Sequence, residues 1–398
     1  MTSAKAALGD SHNFGRRVTL RGQRVIKPRS VLWEWLLLAR ESPLRRRLDE
    51  AARSLSGAPP EPFAFLPSLK FFDRSQAGGE VEKLRLAPLP RLSTARRGEL
   101  AGIVGRALAL FSWLGVADLH WENLVLGCDA RGRIVFGPVD IEMILADLAL
   151  PTETKLLPDA DPEYGDVCRH ACGVRRVLPY LGKPLAGVDL LTMAGAYRWT
   201  LDFLDQQARA IAQTLAQLPG LREAPIRVCL RGTGEYVRAR SEPLWPPLLD
   251  AELEQLARGD IPYFFRLYGR PGIQYFANRA LTRRASLPLR GDVPKLDPVL
   301  QLSRNLRSPS RQRLRDQGVL ALLAAFDHPS LTGRHQSGEL ELTLSSRRIG
   351  LTLPGGEQLS SPRDLSAFVG SVYLPCRCGE VRSVFVPATT RCRASSGN

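Results

Sequence analysis

The apolar residues near the N-terminus gather into two short groups, Val18-Thr-Leu20 and Arg24-Val-Ile-Lys27, which predict a hairpin over 14–27 turning at Gly22. Pro28 ends the second strand, and 33–53 reads as a helix that Pro43 bends or breaks. Residues 55–95 are rich in Pro and Gly, with strand-like pieces at 63–65 and 69–72. The strongest helical pattern covers 99–114, where Ile103, Val104, Ala107, Leu108, Leu110, Phe111 and Leu114 recur at three- and four-residue spacings. Gly115 stands where a C-terminal glycine cap belongs. A polar loop follows, then two apolar strands at 124–126 and 134–136 that flank a turn over 128–133. Further helices are predicted over 187–217 and 248–258. The last 70 residues look β-rich, with a hairpin at 340–344 and 349–353 and a frayed tail after Pro387. No internal repeat at solenoid periods is visible.

Composition narrows the class. At 398 residues the chain is long enough for two or three domains of roughly 150 residues each. With 44% hydrophobic and 24% charged residues it can bury a core, which excludes wholesale disorder. The longest apolar run, Val31-Leu-Trp-Glu-Trp-Leu-Leu-Leu-Ala39, is short and carries Glu34, whereas a membrane span needs roughly 20 apolar residues. No secretory signal is visible, so a cytoplasmic protein without a membrane span is expected. Seven irregularly spaced cysteines fit reduced thiols.

The net charge of +15 favours anionic partners, although only seven of the 55 basic residues are lysine, the mark of a GC-rich gene. The stretch 270–315 holds eleven basic residues against Asp292 and Asp297, but lacks interleaved aromatics after Phe276. It reads as a solvated face, and no nucleic acid is expected. Cys168-x-His170-x-Cys172 has no second ligand pair nearby, so no zinc is expected. The acidic stretch 140–166, with Lys155 its only cation, reads equally as an activation-segment analogue or a polar insertion.

One constellation carries chemistry. Asp118-x-His120-x-x-Asn123 is followed, 17 residues after the Asn, by Asp140-x-Glu142. Phosphoryl transfer needs a carboxylate near the attacking hydroxyl, and an amide and second carboxylate to hold Mg²⁺ against the phosphates. The intervening hairpin is expected to fold Asp140 back beside Asn123. A phosphate-binding cation is also needed, and Lys27 ends a strand about 90 residues before the loop. Ahead of it, Gly9-Asp10-x-His12-x-x-Gly15-Arg16 offers glycines, Gly15 among them, that would let the backbone approach a nucleotide closely.

With these residues in place, the sequence resembles the dehydratase domain of class II lanthipeptide synthetases, the LanM proteins, over about residues 8–325. The likeness lies in Gly9-Asp10-Ser-His12, Ile26-Lys27-Pro-Arg29, the 118–123 loop and Pro138-Val-Asp140-Ile-Glu142. It continues in Arg227-Val-Cys-Leu-Arg231-Gly-Thr233-Gly-Glu-Tyr236 and in the more distinctive Gly259-Asp260-Ile-Pro262-Tyr-Phe264. The resemblance implies an α+β fold with a two-lobed, lipid-kinase-like core. It implies an ATP- and Mg²⁺-dependent enzyme that phosphorylates Ser or Thr of a ribosomal precursor peptide and then eliminates phosphate to leave a dehydroamino acid. Lys27 would contact the nucleotide phosphates and Asp118 would orient or deprotonate the hydroxyl. Asn123 and Asp140 would hold Mg²⁺, with His120 and Glu142 supporting that site and Glu142 counted among the metal ligands. Arg227 and Thr233 match positions tied to elimination, and Asp10 and His12 match positions near both reactions.

The expected organisation is a small lobe over 1–95, a large helical lobe over 96–328 and a β-rich C-terminal extension over 329–398. The core begins almost at Met1, and Cys376-Arg-Cys378 and Cys392 lack the histidine of a zinc cyclase. A stand-alone form is therefore expected, with leader recognition and ring closure left to others, such as a separate cyclase. The aromatic segment expected between the lobes is reduced to Gly79-Glu80-Val-Glu82. Two other functions compete: a small-molecule phosphotransferase of the aminoglycoside or choline kinase type, and a silent peptide-binding partner of a synthetase. The first usually has His two residues before the catalytic Asp, where Val116 stands here.

Overall fold

Two polar-apolar strands joined by the two-residue turn Gly22-Gln23 start the fold, because Arg21 pairs directly with Arg24 and Gly22 takes φ +61°. These are β2 (Arg16–Arg21) and β3 (Arg24–Lys27), preceded by β1 (Ala7–His12). With β4 (Phe71–Arg74) and β5 (Gly79–Glu82) they form an antiparallel sheet of order β1-β2-β3-β5-β4. The computed structural model describes residues 7–55, 59, 61–75, 77–146, 148, 150–158, 172–182, 185–243, 248–268, 270, 272–287, 309–364 and 368. Cys168, His170, Cys376, Cys378, Cys392, the tail after 387 and much of the basic stretch 270–315 lie outside the described residues.

The helix expected over 33–53 is two helices, α1 (Leu32–Leu38) and α2 (Pro43–Arg53). Pro43 opens the second, where its missing N–H costs nothing, and the Ser42 hydroxyl accepts the Arg45 N–H at 3.2 Å. The strand expected at 63–65 is a turn instead. Phe63 and Phe65 are apolar because they are buried, at 1% and 4% exposure.

Helix α3 (Thr94–Trp113) starts ahead of the expected 99, since Ser93 caps it by accepting the Arg96 N–H at 3.4 Å. It ends at Gly115, whose φ of +62° suits glycine. Space demands glycine as well, because a Cβ there would lie 2.1 Å from the Ala146 carbonyl oxygen. The hairpin β6 (Leu124–Cys128) and β7 (Ile134–Pro138) follows, then α4 (Leu178–Leu181) and the long α5 (Gly187–Gln217), which packs along α3.

A second antiparallel sheet was not legible in the sequence. It has the order β11-β10-β9-β8, from β8 (Pro225–Val228), β9 (Phe264–Leu267), β10 (Gln274–Phe276) and β11 (Arg284–Ser286). Between β8 and β9 lie α6 (Thr233–Arg238) and α7 (Asp250–Ala257). Helix α8 (Pro309–Phe326) leads to a meander of β12 (Gly333–Ser337), β13 (Leu340–Leu344), β14 (Arg348–Thr352) and β15 (Gln358–Pro362). The expected hairpin is the middle of this sheet.

The fold is thus mixed α+β. One continuous core runs from Trp33 and Leu36 through Phe63, Phe111 and Phe203 to Leu322 and Ile349. The meander packs on α5 and α8 and shares that core. A smaller cluster of Met143, Val228, Leu230 and Phe264 joins the second sheet to the segment after β7. Among the described residues no helix is long and apolar enough to cross a membrane.

Candidate active site

The β6–β7 hairpin sets the first pair of polar residues. Leu124 pairs with Pro138, and one step further out the Val139 N–H donates to the Asn123 carbonyl at 2.9 Å. Asp140 therefore leaves the hairpin beside Asn123, and both line a single cavity of about 1300 Å³. The loop before β6 braces itself. Asn123 Nδ2 donates to the Asp118 carbonyl at 2.9 Å, and the Asn123 N–H donates to His120 O at 3.0 Å. Asp118 sits at φ +65°, a conformation that Asp tolerates better than most residues. The Leu119 N–H anchors the loop on Thr154 O at 2.9 Å. Asp118, His120 and Glu122 all line the same cavity.

Lys27 reaches the cavity from the end of β3. Its Nζ donates to Glu34 Oε2 at 2.8 Å and to the Val139 carbonyl at 2.7 Å, and lies 3.9 Å from Asp140 Oδ1. Glu34 was absent from the sequence-derived site. It is fully buried on α1, and its signal was a lone carboxylate inside the apolar run 31–39. Such a residue is costly unless paired, and here it is paired twice, because Arg29 Nη1 lies 2.6 Å from Glu34 Oε1.

Arg29 then links the two halves of the site. Its guanidinium contacts Glu34, forms an ion pair with Asp140, and places Nε 2.7 Å from Glu142 Oε1. Burial alone would raise the Asp140 pKa. Arg29, Lys27, Arg227 and His120 outweigh it and hold the carboxyl below its usual range. Glu142 is placed between two arginines, since its Oε2 accepts from Arg227 Nη1 at 3.4 Å. It was expected among the metal ligands, whereas both of its oxygens lie against guanidinium groups.

The second half comes from β8 and the segments around it. The Arg227 backbone N–H donates to Glu142 O at 2.8 Å, which fastens β8 to the chain after β7. Arg227 Nε is buried and, among the described residues, has no hydrogen-bond partner. Thr233, the first residue of α6, is exposed and lines the cavity with Arg227 and Cys229. Burial pushes the Cys229 thiol up, so it stays protonated. Cys128, Cys172 and Cys229 are free thiols.

Asp10 and His12 line the cavity from β1. His12 Nδ1 lies 2.7 Å from the Ile261 carbonyl. A carbonyl only accepts, so the hydrogen sits on Nδ1 and the lone pair on Nε2. Burial, then Arg227, lowers the His12 pKa and keeps the ring neutral. Gly15 is the exception among the residues singled out. Its φ is +80°, but its N–H donates to Asp260 Oδ1 at 2.9 Å and it does not line the cavity.

The donor set fits a nucleotide phosphate and a hard cation. Asn123 spends its amide N–H on Asp118, which leaves the amide oxygen for a cation beside the ionised Asp140. Lys27 and the unpartnered Arg227 Nε supply positive charge, while Val18, Val25, Val81, Leu84 and Val125 give one wall an apolar surface suited to a base. Among the described residues no group of three or more His, Cys, Asp or Glu is arranged for a metal. No protein-family model matches the chain, and no curated protein matches it.

Proposed function

We propose that this chain is a two-lobed, kinase-like enzyme of the lanthipeptide dehydratase type. It would phosphorylate Ser or Thr of a peptide with ATP and then eliminate the phosphate. The observation that carries the reading is the single cavity lined by Lys27, Asp118, Asn123 and Asp140 together with His12, Arg227 and Thr233, from segments more than two hundred residues apart. The buried Lys27–Glu34 pair adds to it, since a strand lysine held by a helix glutamate is a recurring part of kinase sites.

In the first step the peptide hydroxyl oxygen bonds to the γ-phosphorus of ATP while the bond to the ADP oxygen breaks. Asp118 receives the hydroxyl proton. Mg²⁺ held by Asn123 and Asp140 would neutralise charge on the phosphates. In the second step His12 Nε2 takes the α-proton, the C–H electrons become the Cα=Cβ bond, and the Cβ–O pair departs with phosphate. Arg227 and Thr233 bind the leaving anion, a task for which a guanidinium is better suited than an ammonium.

Mass spectrometry of Ser/Thr peptides incubated with ATP and Mg²⁺ tests this directly. The wild-type chain should add phosphate and then show net loss of water. Asp140→Asn should stop phosphorylation by at least about 100-fold, and Arg227→Ala should accumulate phosphopeptide. ATP turnover that survives Asp140→Asn removes the metal assignment, and normal dehydration by Arg227→Ala removes the elimination role.

A further inference from the structure

The loop between β1 and β2 holds Asn13, Phe14 and Gly15 at φ +49°, +70° and +80°. Consecutive left-handed residues turn neighbouring N–H groups to one side and make a concave anion site, the arrangement glycine-rich loops use for phosphate. Here the anion is internal. Asp260 is fully buried and accepts from Phe14 N at 2.7 Å, Gly15 N at 2.9 Å and Ser11 Oγ at 2.7 Å. Among the described residues the nearest cation is Arg258, whose Nε is 3.7 Å from Asp260 Oδ2 and whose guanidinium lies over the Phe14 ring at 4.0 Å. The next residue continues the attachment. Ile261 N donates to Ser11 O at 2.8 Å, and Ile261 O receives the His12 Nδ1 hydrogen at 2.7 Å.

We propose that Asp260 is a positioning residue, a buried carboxylate that latches the 9–15 loop onto the 259–261 segment and so fixes the tautomer and aim of His12. Its functional consequence rests on the elimination reading above. The N–H groups of Phe14 and Gly15 are spent on Asp260, so the loop serves the half of the site around His12 and Arg227. None of the contacts of Lys27, Glu34, Asn123 or Asp140 described above passes through Asp260. Loss of the latch should therefore separate the two half-reactions.

The test is Asp260→Asn, whose amide nitrogen cannot accept what a carboxylate oxygen accepts, with Ser11→Ala as a milder second variant. Nitrogen-15 NMR of the five histidines reads the His12 tautomer without any substrate. The wild type should show a protonated Nδ1, and Asp260→Asn a mixture of tautomers. Phosphate release from a synthetic phosphoserine peptide should fall about 100-fold in Asp260→Asn, as expected for a misaimed base, and by less in Ser11→Ala. ATP-dependent phosphorylation of the unmodified peptide should stay within about twofold in both variants. A folded Asp260→Asn that keeps the wild-type His12 signature overturns the latch, and so does one that releases phosphate at the wild-type rate. A wild type inactive in both half-reactions defeats the functional reading instead, and the NMR comparison still decides the latch.

Discussion

Glu34→Gln isolates the most buried charge of the site. Its carboxylate has no exposure and holds two cations, Lys27 Nζ at 2.8 Å and Arg29 Nη1 at 2.6 Å, each itself only 7% exposed at the side chain. Glutamine has nearly the same shape, so packing is preserved and the charge alone is lost. Breaking a buried ion pair from one side costs about 3–5 kcal/mol, because the partner stays buried without its counter-charge. The low end applies here. Lys27 retains the Val139 carbonyl, and Arg29 retains Asp140 and Glu142. A loss of about 3 kcal/mol is therefore expected in urea unfolding followed by fluorescence, with the buried Trp33 beside the substituted residue as a reporter. Lys27→Met combined with Glu34→Gln should cost less than the sum of the single changes, because the two groups share one contact. A Glu34→Gln loss below about 1 kcal/mol, or strict additivity in the double variant, would show that the pair contributes nothing beyond its packing.

Two further outcomes follow from single residues. Gly115→Ala places a side chain at φ +62° and a Cβ 2.1 Å from Ala146 O and 2.4 Å from Ala146 N, so it should cost at least about 2 kcal/mol in the same unfolding assay; a neutral variant would mean that α3 ends differently. His12 is lowered by burial and then by Arg227, with Glu142, the Ile261 carbonyl and Asp10 opposing. A base must be neutral, so elimination should already be at its plateau near the ordinary histidine value of about 6.5 and should fall only at lower pH. The stability linkage has the same sign. The contribution is complete above about pH 6.5 and is lost as pH falls toward the folded value, because the unfolded chain takes up the proton first. An NMR titration of His12 with a midpoint above 6.5 would refute both statements.

Local signals carried much of the fold. The hairpin turning at Gly22, the α3 periodicity and the 340–353 hairpin are each written in contiguous residues, and each stands where the pattern places it. The failures are of one kind. At 63–65, Phe-Ala-Phe alternates like a strand, yet its rings are core residues, with Phe63 against Phe203 of α5 and Phe65 beneath the Arg106 guanidinium of α3. At 225–286 the strands are three or four residues long and far apart, so their pairing carries no local periodicity at all. Strand existence there is decided by partners, and partners are not visible in a window of sequence.

The site divides along the same line, and the division says why raw charge was a poor guide. Lys27, Asp118, Asn123 and Asp140 were legible because the fifteen-residue β6–β7 hairpin and its flanks hold three of them at short range. What organises them was not. Arg29 stands between carboxylates from α1 and from the segment after β7, and Arg227 shares Glu142 with it, so cations and anions alternate from Lys27 through Glu34, Arg29 and Glu142 to Arg227. Such a chain is close to neutral overall, and the +15 of the sequence says nothing about it. Its physical consequence is local: each member sits against opposite charges, with Lys27, Glu34 and Arg29 buried. Removing any one therefore leaves its neighbours with one counter-charge fewer. The Lys27 and Arg227 halves of the cavity are for this reason mechanically tied through Arg29, whereas the loop bearing His12 is tied separately through Asp260. Substitutions at Glu34 and Arg29 should disturb both half-reactions together, whereas substitutions at the Arg227 end and in the latch should disturb elimination alone. That contrast follows from connectivity alone and does not depend on the strength of any single contact.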